Sequence, residues 1–179
     1  ATDMDGTFLR DDKAYNDEFN DLYKQMLKQG IQFVIASGNQ YEALVCKFDD
    51  DIKDDLYYLC ENGTKIVYQG KTLYKKALEK QDAQEVLDIL KEDQECMLVV
   101  SGDKHAYISK SFADKKDFIS LFMKNVQFVE SYDDIEDDIL KFSIASFDDQ
   151  MEQRIEKIQK QLKPHLKLVT TGNVWFDIF

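Results

Sequence analysis

Apolar positions along the first third of the chain follow two periods in turn. Phe19, Leu22, Tyr23, Met26 and Leu27 recur at helical spacing, and Gly30 stands where a left-handed C-terminal cap is expected. Residues 31–36 follow as a β-branched, nearly continuous apolar run, the pattern of a strand in a parallel sheet covered on both faces. The cycle then repeats. Tyr41, Leu44, Val45 and Phe48 mark a short helix, residues 56–60 a further strand, and residues 1–3 read as the end of an earlier one. Strand, helix, strand, helix, strand with short connections predicts a right-handed, doubly wound α/β unit. The acidic stretch 49–55 reads as a solvated turn.

The rhythm changes at Lys65. Residues 65–68 and 72–76 flank Gln69-Gly70-Lys71 and predict a hairpin. A helix with Ala83, Val86, Leu87 and Leu90 on one face comes next, then strands over 97–101 and 105–109. Phe118, Leu121 and Phe122 predict another helix, followed by strands over 126–129 and 141–146. Met151, Ile155, Ile158 and Leu162 stripe a last helix that Pro164 stops, and strands over 166–170 and 174–179 close the chain. The expected organisation is a core segment at 1–77, an inserted α/β layer at 78–171, and a return toward the core at 172–179.

Composition narrows the classes. Apolar residues make up 44% of the 179 and charged residues 32%, enough for a real core under a wet surface. No apolar run approaches the roughly 20 residues needed to cross a bilayer, and no signal peptide is visible. A net charge of −12 gives no electrostatic reason to approach nucleic acid or an anionic membrane. Cys46, Cys60 and Cys96 fit neither a zinc motif nor a disulfide framework, so reduced thiols in a cytoplasmic protein are expected. With only His105 and His165 present, both read as structural or surface residues, the acids and bases of any chemistry are expected to be carboxylates.

The chemistry concentrates in Asp3-Met4-Asp5-Gly6-Thr7 at the end of the first strand. Alternation places Asp3 and Asp5 on one side and Met4 toward the core, while Gly6 lets the backbone turn away. Carboxylates at the carboxyl end of a parallel strand sit where open α/β sheets bind ligands. One of the pair can attack phosphorus, and the other can give a proton to the leaving group and later take one from water. Two anions facing a phosphate need a hard cation, most plausibly Mg²⁺. An EF-hand fails on spacing, because its obligatory Gly and Glu positions fall on Phe8 and Ala14.

Ala36-Ser37-Gly38-Asn39 is a second phosphate-handling element, with a hydroxyl, a close-approach glycine and the start of a helix whose N–H groups favour an anion. Glu61-Asn62-Gly63 ends the third strand, and all three loops are expected on one sheet edge. Asn62-Gly63 is also an ordinary turn dipeptide. The pairs Asp133-Asp134 and Asp137-Asp138 read as solvated ends, and Trp175 as core.

Asp-x-Asp-Gly-Thr, a later strand ending in Ser-Gly, and Asn-Gly after the third strand resemble the Cof-type branch of the haloacid dehalogenase phosphatases. Residues 2–9 (TDMDGTFL), 36–41 (ASGNQY) and 61–63 (ENG) are most similar to bacterial sugar phosphatases of that branch. The resemblance implies a Rossmannoid parallel-sheet core with an inserted α/β cap of type IIB. It implies a Mg²⁺-dependent phosphomonoester hydrolase acting on small phosphorylated sugars through an aspartyl phosphate. By it, Asp3 is nucleophile and metal ligand. Asp5 is general acid/base, with its backbone carbonyl on the metal. Ser37, Gly38 and Asn39 bind the phosphoryl group, with Asn62 nearby. Many relatives carry Arg where this chain has Asn39. Family members also continue with a Lys after the cap and a Gly-Asp-x-x-Asn-Asp loop, whereas this sequence stops at Asp177-Ile178-Phe179 and lacks an initial Met. A partial record of a longer protein, inactive by itself and missing the C-terminal part of the core, is therefore expected. The alternatives are a phosphosugar mutase or phosphotransferase, and a noncatalytic phosphate-binding module if the natural chain ends near Phe179.

Overall fold

The first strand, β1 (Thr2–Asp3), is short, and its position is set by parallel pairing to a longer neighbour. In the computed structural model, which describes residues 1–91, 93, 95–172 and 174–179, it leads into helix α1 (Glu18–Lys28) and strand β2 (Val34–Ala36). Helix α2 (Tyr41–Val45), strand β3 (Tyr57–Cys60) and the hairpin of β4 (Lys65–Tyr68) and β5 (Lys71–Lys75) follow. Ala1–Lys76, with Phe122–Lys124, form one compact unit. Its sheet runs β1-β2-β3-β4-β5, the first three strands parallel and the hairpin antiparallel.

Helix α1 buries Phe19 and Tyr23, with acidic Glu18 and Asp21 in its first turn and Lys28 in its last, as the helix dipole favours. Leu22 stands 54% exposed, so the buried stripe is narrower than its spacing predicts. The N–H of Gly30, at φ +75°, donates to the Leu27 carbonyl and that of Ile31 to Met26, the paired bonds of a Schellman cap. That cap explains why the expected strand over 31–36 pairs only at Val34–Ala36: the Ile31 N–H is already committed to the helix end.

The two crossover helices of the same sheet pack on one face. Phe19 of α1 packs on Phe33, and Tyr41 of α2 packs on Tyr58. Ile35 and Tyr58 are paired across β2 and β3, and both belong to one buried cluster with Tyr23, Leu44 and Val67. Both crossovers thus cover the same face. Right-handed connections stepping in one direction, β1 to β2 to β3, require this.

The second unit comprises Ala77–Leu121 and Asn125–Phe179. It contains helix α3 (Lys80–Leu90), strands β6 (Met97–Gly102) and β7 (Ala106–Ser109), and a single helical turn, α4 (Lys116–Ile119). Strands β8 (Val126–Val129) and β9 (Ile139–Ala145), helix α5 (Met151–Gln159), and strands β10 (Leu168–Thr171) and β11 (Trp175–Ile178) complete it. The six strands run β10-β11-β9-β6-β7-β8, antiparallel except for β7 with β8. Val86, Leu87 and Leu90 of α3 and Ile158 of α5 bury against Leu98, Val100, Phe142, Ile144 and Phe176, which strand alternation puts on one sheet face.

One sequence expectation fails here. The helix predicted from Phe118, Leu121 and Phe122 is reduced to α4 after a 3-10 segment, Lys110–Lys115, and Leu121 is 71% exposed. Phe118 instead stacks on Trp175, with centroids 6.0 Å apart. Residues 175–178 form strand β11 of the second unit. Strand β11 lies between β10 and β9, paired on both sides, and its four residues are all buried.

The face opposite α3 and α5 is polar within β9 and β11. Lys141 and Asp177 form a buried ion pair at 3.1 Å, with Ser143 also buried between strands. Arg154 of α5, itself buried, donates to the carboxylates of Asp93 (2.6 Å), Glu95 (3.1 Å) and Asp148, and to Ser146 Oγ (2.9 Å). Arg154 and the Gln150 N–H hold the Asp148 carboxyl well below the usual carboxylate range. Both histidines are structural ties, His105 Nδ1 to Asn125 Oδ1 and His165 Nε2 to Asp82 Oδ2, each at 2.8 Å. Asp137 is a tie as well, accepting from the Tyr107 hydroxyl at 3.0 Å. Among the described residues no helix is long and apolar enough to cross a membrane.

Two predictions follow from the charged groups. Lys141→Met strands the buried Asp177 carboxylate and should lower stability by about 3 kcal/mol, whereas Lys141→Met with Asp177→Leu should recover most of that loss in urea unfolding. Because the Asp148 pKa is depressed in the fold, its contribution is fully present above the unfolded value of about 4 and is lost as pH falls below it. Thermal melts of Asp148→Asn should therefore differ from wild type at pH 7 and converge with it toward pH 2.

Candidate active site

The ladder of β1, β2 and β3 aligns three strand ends: Asp3 pairs with Ala36, and Ala36 with Leu59. Everything that follows in each strand therefore emerges on one edge of the sheet. Met4 is fully buried, while Asp3 and Asp5 on either side of it are exposed, as alternation predicts. The turn after Asp5 is held by backbone bonds that fold it back on the strand. The Phe8 N–H donates to the Asp3 carbonyl (3.2 Å) and the Leu9 N–H to the Met4 carbonyl (2.8 Å). Gly6 takes φ +73°, a conformation that costs a side-chain-bearing residue about 1 kcal/mol.

A chain of hydrogen bonds joins the three loops. Asn39 Nδ2 donates to Asp5 Oδ2 (3.4 Å), and the Asn39 N–H donates to Ser37 Oγ (3.2 Å). The Ser37 N–H donates to the Leu59 carbonyl (2.9 Å), and its carbonyl accepts from the Asn62 N–H (3.3 Å). The Glu61 N–H returns to the Asn39 carbonyl (3.2 Å). Asp5, Ser37, Asn39 and Asn62 are thus brought together, with half-buried Gly38 between the second and third of them and Asp3 one strand position before Met4. Glu61, Asn62 and Gly63 take φ +50°, +58° and +87° in succession, so this end of β3 is a strained corner and not a relaxed turn.

One expected element is weaker than its sequence implies. Helix α2 after the Ser-Gly loop has only five residues, too few for a substantial dipole, so any anion preference there rests on local N–H groups and the Ser37 hydroxyl.

One residue was not foreseen. Lys13, at φ +63° in a tight turn, places Nζ 2.8 Å from Asp5 Oδ1. Asp5 in turn raises the Lys13 pKa through this bond and its charge. Nothing in apolar periodicity marks a contact across eight residues of polar loop. Burial pushes the thiols of Cys60 and Cys96 up to about 12 and about 11, which leaves these two inert as nucleophiles.

As a metal site, the donor set present is two carboxylates and nearby backbone oxygen. Among the described residues no group of three or more His, Cys, Asp or Glu side chains is arranged to hold an ion. Oxygen donors few in number suit Mg²⁺, which keeps several of its waters and is bound through one or two carboxylates.

The family model for haloacid dehalogenase-like hydrolases matches residues 1–179. The chain belongs to that family. The haloacid dehalogenase-like fold accounts for both the parallel unit and the second α/β unit. The chain is 34% identical over 180 aligned positions to 5-amino-6-(5-phospho-D-ribitylamino)uracil phosphatase YbjI of Escherichia coli (strain K12), covering 99% of this chain and 66% of that protein. Its structure is similar to that of SMU.1108c from Streptococcus mutans UA159, with a TM-score of 0.86 at 24% identity, over 99% of this chain and 68% of that one. It is also similar to the subclass IIB sugar phosphatase BT4131, with a TM-score of 0.75 at 14% identity, over 98% of this chain and 67% of that one. The chain thus spans about two thirds of the length of these haloacid dehalogenase-like relatives.

The strained corner gives a direct check on the site's framework. Asn62→Val places a β-branched residue at φ +58° and should cost about 1–2 kcal/mol in thermal or urea unfolding, whereas Asn62→Gly should stay close to wild type.

Proposed function

We propose that the protein is a Mg²⁺-dependent phosphomonoester hydrolase acting on small phosphorylated sugars or polyols. The observation that carries this reading is the hydrogen-bond chain from Asp5 through Asn39 and Ser37 to Asn62, at the aligned ends of three parallel strands that also present Asp3. The ribitylamino-uracil phosphatase relative supports a phosphate ester on a sugar-derived chain as the substrate class.

In this reading an Asp3 carboxylate oxygen attacks phosphorus, and the bond from phosphorus to the substrate oxygen breaks. Asp5 gives its proton to that departing oxygen, so the alcohol leaves neutral and an aspartyl phosphate remains on Asp3. Asp5, now a carboxylate, takes a proton from water as the water attacks phosphorus, and Asp3 is restored with release of inorganic phosphate. Ser37 Oγ and the amides around Gly38 and Asn39 hold the phosphoryl oxygens as charge shifts among them. The Asp3 carboxylate and the Asp5 backbone carbonyl would hold Mg²⁺, which when bound would supply the positive charge an anionic nucleophile needs beside an anionic ester.

Asp3→Asn in the natural full-length protein should abolish phosphate release, a loss of at least about 10³-fold, with an unchanged melting temperature. Release at a rate comparable to wild type would remove Asp3 as the nucleophile.

A further inference from the structure

We propose that Lys13 is a positioning residue for Asp5: its ammonium holds one carboxyl oxygen while the Asn39 amide holds the other. The inference rests on the phosphatase reading and adds to it the device that aims the proton-carrying group.

Lys13 Nζ lies 2.8 Å from Asp5 Oδ1, and Asn39 Nδ2 lies 3.4 Å from Oδ2. The two oxygens are therefore taken from opposite sides, which removes free rotation of the carboxyl about its last torsion. The turn that delivers Lys13 is itself braced. The Lys13 N–H donates to the Arg10 carbonyl, the Arg10 N–H to the Ala14 carbonyl, and the Ala14 N–H to Asp12 Oδ1, all within 3.0 Å. A positive φ at a residue that is neither Gly nor Asn is uncommon, and here it turns a long cationic side chain back over Asp5. Stability does not account for the arrangement, because Lys13 and Asp5 are exposed and pairs of this kind contribute little to folding. Orientation of a proton donor matters far more, since misplacement by a fraction of an ångström costs orders of magnitude in rate. The clamp also separates the roles of the two aspartates. With both side-chain oxygens accepting hydrogen bonds, Asp5 is held in one orientation, whereas among the described residues the Asp3 carboxylate has no such clamp.

The chemistry supplies a selective readout. As the phosphorus–oxygen bond breaks, an alkoxide must receive the Asp5 proton, whereas p-nitrophenolate is a weak base and departs without one. Lys13→Met and Lys13→Arg should be compared with wild type, in the full-length protein, on ribose phosphate and on p-nitrophenyl phosphate. The expected result for Lys13→Met, read in the first turnover so that the shared hydrolysis of the aspartyl phosphate does not enter, is a fall of about tenfold or more in the rate of ribose release, with less than about threefold loss in the burst of p-nitrophenolate. Lys13→Arg should restore most of the loss, and Mg²⁺ affinity measured by calorimetry should stay within about threefold in both variants. An equal loss on both esters, an unchanged rate on ribose phosphate, or a tenfold change in Mg²⁺ affinity would each overturn the assignment. If wild type hydrolyses neither ester, the phosphatase reading fails and this inference goes with it.

Discussion

Parallel pairing of three short strands in one register is the constraint on which the first unit depends. Asp3 opposite Ala36, and Ala36 opposite Leu59, bring three chain segments that are far apart in sequence to a common edge. None of the loops beyond that edge has a core of its own. Each is fixed by the strand it leaves and by backbone bonds to its neighbours, such as Asn62 N–H to the Ser37 carbonyl. The apolar cluster beneath, with Met4, Ile35 and Tyr58 fully buried, is what makes this edge rigid. Site geometry is here a by-product of sheet packing. That is the usual way an open α/β sheet converts burial into a binding surface.

The second unit meets a different requirement. Its sheet buries apolar residues under two helices on one face and carries charge on the other. Burying Lys141 with Asp177 gives little net stability, since desolvation offsets most of the attraction. A close, hydrogen-bonded pair nevertheless fixes the register of β9 against β11, because any slip would separate two desolvated charges. Arg154 does similar work elsewhere in the unit, gathering carboxylates from two stretches of chain about 55 residues apart.

How far the sequence is legible depends on whether a feature is local. Helix α1 is legible because spacing, terminal charges and Gly30 agree, and the Asp-x-Asp, Ser-Gly and Asn-Gly loops are legible because each sits at the end of an apolar run. The shortened β2 is not, since the decisive fact is that the Ile31 N–H is used by a helix cap. The placement of residues 172–179 is not either. Trp175, Phe176 and Ile178 announce a buried strand, but nothing in their order says which sheet receives it. Lys13 illustrates the same limit at the site, where a polar turn carries no periodic signal and its side chain acts eight residues away.

Asp3, Met4 and Asp5 serve solvent and core by turns within three consecutive residues. A substitution there is consequently read by one audience only, but a change in length is read by both. Inserting or deleting a single residue would put a carboxyl into the apolar cluster and a thioether on the sheet edge, so loss of chemistry and loss of folding would arrive together. Evolution of this edge is thereby confined to exchanges of side chain at fixed spacing, and variation in chain length is displaced to the turns beyond it.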